Sequence, residues 1–141
     1  MPEKTPKNNK ITRDYYLFDC KDANLGRIGT KASFILQGKH KADFRPNFDG
    51  GDFAVIINAN ALRTSANKTL SKVYYSFSGY PGGIRAKKLG EYLEKDPEKV
   101  ISWAVYGMLP KNKLRSERMK RLLIFKDEKH GFKQELKQIK P

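Results

Sequence analysis

The stretch FAVIIN, Phe53 to Asn58, is a short and almost wholly apolar run of β-forming residues. A strand of this kind has no polar face to turn to water, so it needs cover on both sides, as strands of parallel sheets have. Upstream, YYLFDC (Tyr15 to Cys20) reads as a first strand closed by the turn-forming KDAN. Between the two, Leu25, Ile28, Ala32, Ile35 and Leu36 line one face at helical spacing, and Arg27 and Lys31 point elsewhere. Asn24 is placed to cap this helix and Gly38 to stop it.

VYYSF, Val73 to Phe77, reads as a weaker third strand, and the SGYPGG after it as loop. Asp96, Pro97 and Glu98 predict a helix start: a cap, a proline in the first turn and an acid near the positive end of the dipole. Val100, Ile101, Ala104, Val105 and Met108 then share a face, so this helix packs on the core. Pro110 ends it, LLIF (Leu122 to Phe125) predicts a fourth strand, and the charged stretch beyond Lys126 has weak helical character. Strands separated by helices predict an α/β fold with a mostly parallel sheet covered on both faces. The 141 residues suit one domain, with roughly 68–70% of the unfolded surface removed from water. The expected division is a flexible basic arm over residues 1–12, an α/β domain over 13–126 and a charged tail over 127–141.

Charge constrains the partner. Lys and Arg number 29 against 15 Asp and Glu, a net +14, and the last third contributes half of the excess. So much self-repulsion destabilises a compact state unless something anionic neutralises it. No apolar run approaches the roughly 20 residues of a membrane span. MPEKTPKNNK lacks the apolar segment of a secretory signal, so an intracellular protein acting on a polyanion is expected. Cys20 is the single cysteine. It forms no internal disulfide and no multi-cysteine zinc site, and it reads as a small buried hydrophobe.

Three segments concentrate the cations. The first, GMLPKNKLRSERMKRLL, places Lys111, Lys113, Arg115, Arg118, Lys120 and Arg121 within eleven positions, opposed only by Glu117. As a helix it would be basic most of the way round, able to meet phosphates from several directions and to gain affinity from released counterions. The second, GKHKADFRPNFDGGD, carries Lys39, His40, Lys41 and Arg45, with Phe44 and Phe48 among them. Aromatics between cations suit unpaired bases, although a helix dipole also favours cations beyond its C-terminus. The third, KTLSKVYYSFSGYPGGIR, interleaves Lys68, Lys72 and Arg85 with Tyr74, Tyr75, Phe77 and Tyr80 around a glycine pair. Tyr74 and Tyr75 either stack on bases or brace the sheet.

Enzymatic alternatives have less behind them. Asp43, Asp49 and Asp52 suggest a metal-dependent nuclease, but DGGD is also an ordinary turn. GxGxxG after the first strand and GxxxxGK[ST] are both absent, so a nucleotide-binding enzyme lacks its phosphate loop. His40 and His130 are too isolated for a zinc site, and no nucleophile has a visible activating base.

Three segments, GKHKADFRPNFDGGDFAVIINA, KVYYSFSGYPGG and GMLPKN, in this order and at these separations, closely resemble the uL13 (L13) family of large-subunit ribosomal proteins. The match runs from about Asp14 to Phe125. What the resemblance implies is a three-layer α/β/α domain with a four-stranded parallel sheet, bound to large-subunit rRNA and active early in subunit assembly. It implies no catalysis and no cofactor, and neither a membrane nor a small-molecule substrate. Carried over, the RNA contacts fall on Lys39, His40, Lys41, Arg45, Lys68, Lys72, Tyr74, Tyr75, Arg85 and the basic run Lys111, Lys113, Arg115, Arg118, Lys120 and Arg121. Neighbouring large-subunit proteins are further partners, on a cytoplasmic or an organellar ribosome. The chain departs from the family pattern at Ala61, Ala66 and Phe77, in the Arg115 and Ser116 that follow Leu114, and in a tail that keeps only His130 and Gln134 of a histidine-rich element.

Overall fold

β1 (Tyr15–Asp19) and β2 (Phe53–Ile57) lie side by side in parallel, with Tyr15 opposite Phe53 and Asp19 opposite Ile57. α1 (Leu25–Gln37) makes the crossover between them, so the first half of the expected pattern stands. The computed structural model describes residues 11–139, and the expected arm lies outside the described residues as far as Lys10. β5 (Leu122–Ile124) pairs with β2, and β6 (Leu136–Ile139) pairs with β1. The order β5-β2-β1-β6 is parallel throughout, and helices flank the sheet.

Handedness distributes the layers. Crossovers between parallel strands are right-handed, so β1 to β2 and β2 to β5, stepping the same way, lay α1 and α4 (Pro97–Met108) on one face. The return from β5 to β6 steps back and passes over the other. Alternation along each strand then separates two cores. Phe18, Ala54 and Ile56 are buried with Ile28, Ala32, Ile35 and Leu36 of α1 and Ile101 and Val105 of α4. Leu17, Val55 and Ile57 face the opposite way, beneath Phe125 and Phe132 of the return segment. There the Tyr15 and Phe53 rings stack with centroids 4.5 Å apart, and Phe132 tilts against Tyr15 at 5.9 Å. Each such aliphatic side chain stabilises by about 1.5–3 kcal/mol when fully buried.

VYYSF, expected as the third strand, is a strand but lies outside the parallel sheet. That run, β3 (Val73–Phe77), pairs antiparallel with β4 (Ile84–Lys88) in a separate two-stranded hairpin. Antiparallel neighbours need only a tight turn, and SGYPGG supplies one with Gly79 and Gly82 at φ 88° and 74°. The charges of IRAKK hide β4 from a reading by apolar pattern. β6 comes from the segment expected to have weak helical character. At a sheet edge it turns only Leu136 and Ile139 partly inward, and pairing with β1 overrides local preference. Two further short helices, α2 (Ala66–Ser71) and α3 (Leu89–Lys95), are too brief to show a periodic signal.

Gly38 ends α1 in the left-handed region, φ 78°, donating to the Ile35 carbonyl at 3.0 Å. Neither expected N-cap makes a side-chain cap bond. Asn24 forms a backbone bridge to Arg63, and the Asp96 carboxylate binds Lys99 at 3.0 Å. Cys20 is fully buried, and burial, helped by Asp19, pushes its thiol up to about 12. The folded chain is therefore expected to resist a thiol-specific reagent until denaturant opens it. Rapid labelling of native protein would contradict the packing described here.

Candidate nucleic-acid interface

Between Gly38 and Phe53 the chain forms a loop held to the body by two aspartates. Asp52 is fully buried. Its carboxylate accepts from Lys41 Nζ at 2.5 Å, His40 Nε2 at 2.7 Å and the Asp14 amide at 3.2 Å. Lys41 also donates to the Gly50 and Thr12 carbonyls, and Tyr16 lies edge-on to the His40 ring. The unit therefore closes on itself, and among the expected contact residues it leaves Lys39 and Arg45 exposed while drawing His40 and Lys41 inward.

Asp49 gathers three arginines. Arg121 grips it bidentately at 2.5 and 2.6 Å and donates to the Leu36 carbonyl at 3.0 Å, Arg118 Nε lies 3.6 Å away and Arg13 Nη2 3.9 Å. Arg13 also donates to the backbone carbonyls of Asp49 and Gly51. Burial pushes the Asp49 carboxyl upward, but the Arg121 hydrogen bonds and the charges of Arg121, Arg13 and Arg118 outweigh it and hold the group below its usual range. Gly51 sits so close to the end of α1 that a Cβ there would fall 1.8 Å from the Leu36 carbonyl oxygen.

The basic run is thus divided. It folds as α5 (Leu114–Lys120) between α4 and β5. Lys111, Lys113 and Lys120 are exposed, with Lys120 paired to Glu117 at 2.8 Å. Arg115 folds back over the Tyr106 ring at 4.3 Å and donates to the Pro110 and Leu109 carbonyls. Arg118 and Arg121, expected on the surface, are 1% and 7% exposed and turned to Asp49. α5 therefore has an inner side, which also carries Met119 against the core.

The two tyrosines of β3, in the hairpin, face opposite ways. Tyr74 packs on Trp103 of α4 at 4.9 Å and on Tyr92 of α3 at 5.7 Å, so it braces the hairpin against the body. Tyr75, on the other face, is exposed, as are Lys68, Lys72 and Arg85. No Asp or Glu occurs from Phe53 to Gly90, whereas Arg63, Lys68, Lys72, Arg85, Lys87 and Lys88 do.

The family model for ribosomal protein L13 matches residues 13–131. The chain belongs to the ribosomal protein L13 family. It is 44% identical over 145 residues to the large ribosomal subunit protein uL13 of Mycolicibacterium smegmatis, with 99% of each chain covered. It is also 45% identical over 130 residues to uL13 of Mycobacterium marinum, covering 92% of this chain and 88% of that one. A third relative, uL13 of Streptomyces coelicolor, is 44% identical over 126 residues, covering 89% and 86%. The resemblance seen in three sequence segments thus extends through nearly the full length.

Membership in the L13 family is a structural, non-catalytic assignment, and it leaves the nuclease and nucleotide-enzyme readings without support. The carboxylates invoked for a nuclease are already engaged, Asp49 by arginines and Asp52 by Lys41 and His40. Among the described residues no group of three His, Cys, Asp or Glu is placed to hold a metal ion, and no helix is long and apolar enough to cross a membrane. Sequence reasoning missed the supporting part of this site: Arg13 and the two aspartates as anchors. A weak signal existed, since positions 118 and 121 hold Arg, whose planar fork suits a buried carboxylate better than Lys does.

Proposed function

We propose that this chain is a structural constituent of the large ribosomal subunit that binds and organises large-subunit rRNA during assembly, in cytoplasmic ribosomes and beside neighbouring large-subunit proteins. The observation that carries this reading is the sorting of cations into two populations. Arg13, Lys41, Arg118 and Arg121 are turned to the carboxylates of Asp49 and Asp52 and hold the loop and α5 in place. Lys39, Arg45, Lys68, Lys72, Arg85, Lys111 and Lys113 are exposed and have no acidic partner among the described residues.

A solvated face would mix signs; unopposed cations on rigid supports suit phosphate. The exposed lysines act as mobile point charges, Arg45 and Arg85 fork to phosphate oxygens, and Tyr75 offers a ring. His40, Lys41, Arg118 and Arg121 serve the interface as positioning residues, by fixing the loop that presents Lys39 and Arg45. Arg115 is held beside Lys111 and Lys113 at the end of α4, where it adds its charge to theirs. RNA shape governs recognition on this reading, with little reading of base sequence.

Two measurements test it. After gentle lysis the chain is expected to sediment with large subunits, and a pool found entirely free would sink the ribosomal reading. Replacing Lys111, Lys113 and Lys120 by Gln is expected to weaken binding to large-subunit rRNA and flatten its salt dependence, by up to about one slope unit per lost phosphate contact. An unchanged slope would remove this segment from the interface.

A further inference from the structure

The hairpin carries an apolar face that none of the described residues covers. In the β3–β4 register Tyr75 lies opposite Ala86, and Phe77 opposite Ile84. Because side chains alternate, these four share one face, while Tyr74 and Lys87 take the other and attach the hairpin to Tyr92 and Trp103. The anchored side is thus accounted for and the outer side is not. Tyr75, Phe77 and Ile84 are 74%, 66% and 67% exposed, and Tyr80, in the connecting loop, 75%. Tyr75, Ser76, Phe77 and Ile84 line a shallow groove. Contiguous apolar surface of this kind marks a binding site more often than chance exposure.

What occupies it is indicated by the charge of the ribbon that carries it. Lys88, opposite Val73, shares the outer face, Lys72, Arg85 and Lys87 leave the ribbon on the Tyr74 side, and all four are exposed in a stretch free of acidic residues. A polyanion fits so basic a ribbon. Duplex RNA keeps its base faces stacked inside and would leave the rings without a counterpart, whereas an unpaired segment offers phosphate to the lysines and open π-faces to the aromatics. We propose that the outer face of the hairpin binds unpaired nucleotides of RNA, with bases stacked on Tyr75, Phe77 and Tyr80 and phosphate on Lys88. The proposal rests on the RNA-binding reading above and names the form of RNA that this part of the protein takes. Phe77 and Tyr80 become contact residues alongside Tyr75, and Tyr74 becomes a support.

The test uses the purified full chain with two labelled probes, a short unstructured oligoribonucleotide and an RNA duplex of the same length. The triple variant Tyr75→Ala, Phe77→Ala, Tyr80→Ala alters only exposed positions, and circular dichroism is expected to match the wild type. Its affinity for the single strand is expected to fall about ten-fold or more, with duplex affinity and salt slope unchanged. Phe77→Trp is expected to retain binding and to be quenched by the single strand alone.

Equal single-strand affinity in the triple variant and the wild type would overturn the proposal while leaving the RNA reading intact. So would an equal loss on both probes. Wild-type chains that pair with one another through this face, and separate in the triple variant, would make a second copy the occupant and overturn it too. Failure of the wild type to bind either probe would remove the RNA reading itself, and the stacking with it.

Discussion

Asp49→Asn is expected to lower the stability of the fold by about 3–5 kcal/mol in a denaturant titration, because it removes the carboxylate that the buried Arg121 and Arg118 face. The two guanidiniums cannot swing out to water without dragging α5 and the start of β5. Asparagine keeps the shape and loses the charge, so the effect isolates electrostatics from packing. The pH dependence follows from the depressed carboxyl. Its folded pKa lies below the unfolded value near 3.9, so the contribution is fully present above that value. It is lost as pH falls through the lowered folded pKa. The gap between wild type and Asp49→Asn is therefore expected to be constant near neutrality and to narrow in acid. A gap under about 1 kcal/mol, or one indifferent to acid, would show that Asp49 does not hold the loop.

Gly51→Ala is expected to be comparably damaging, at about 3 kcal/mol or more, with a fall of roughly 10 °C in thermal midpoint. The added methyl would meet the Leu36 carbonyl oxygen at 1.8 Å and its carbon at 2.5 Å. Both are backbone atoms at the end of a helix, so no flexible side chain can yield. The loop would have to lift from α1, pulling Asp49 and Asp52 away from their cations on either side. Gly50 provides the control, since its Cβ would meet only the Phe48 ring at 3.4 Å. Gly50→Ala is expected to stay close to wild type. Similar behaviour of the two variants in a thermal melt would refute the close approach at position 51.

The sheet's centre was legible because it is written in local pattern: FAVIIN, YYLFDC and the Ile28, Ala32, Ile35, Leu36 face each carry their own period. Its edges were not. β6 is polar at two of four positions and owes its conformation to Tyr15 to Phe18, far away in sequence. β4 reads as a run of charge and becomes a strand because VYYSF folds back on it. The site shows the same divide. That RNA contacts are to be expected in three basic segments follows from composition and resemblance. Which cations reach the surface depends on Asp49, which lies far in sequence from Arg118 and Arg121 and pairs with them only through the fold. An experiment replacing Arg115, Arg118 and Arg121 together, natural from the sequence, would remove two interior guanidiniums and report on folding as well as on binding. The exposed lysines of the same segment give the cleaner probe.

The pairing of β1 with β6 bears on how the chain matures as it is synthesised. β1 gains β2 early, but its outer hydrogen-bonding edge, and the Phe132 ring that shelters Tyr15, belong to residues translated more than a hundred positions later. Until they emerge, the nascent polypeptide carries an open parallel edge beside an uncovered aromatic patch, the kind of surface that invites misassociation. Closure by β6 is thus a long-range step, and the sheet is complete only once the last of its strands in sequence has been made.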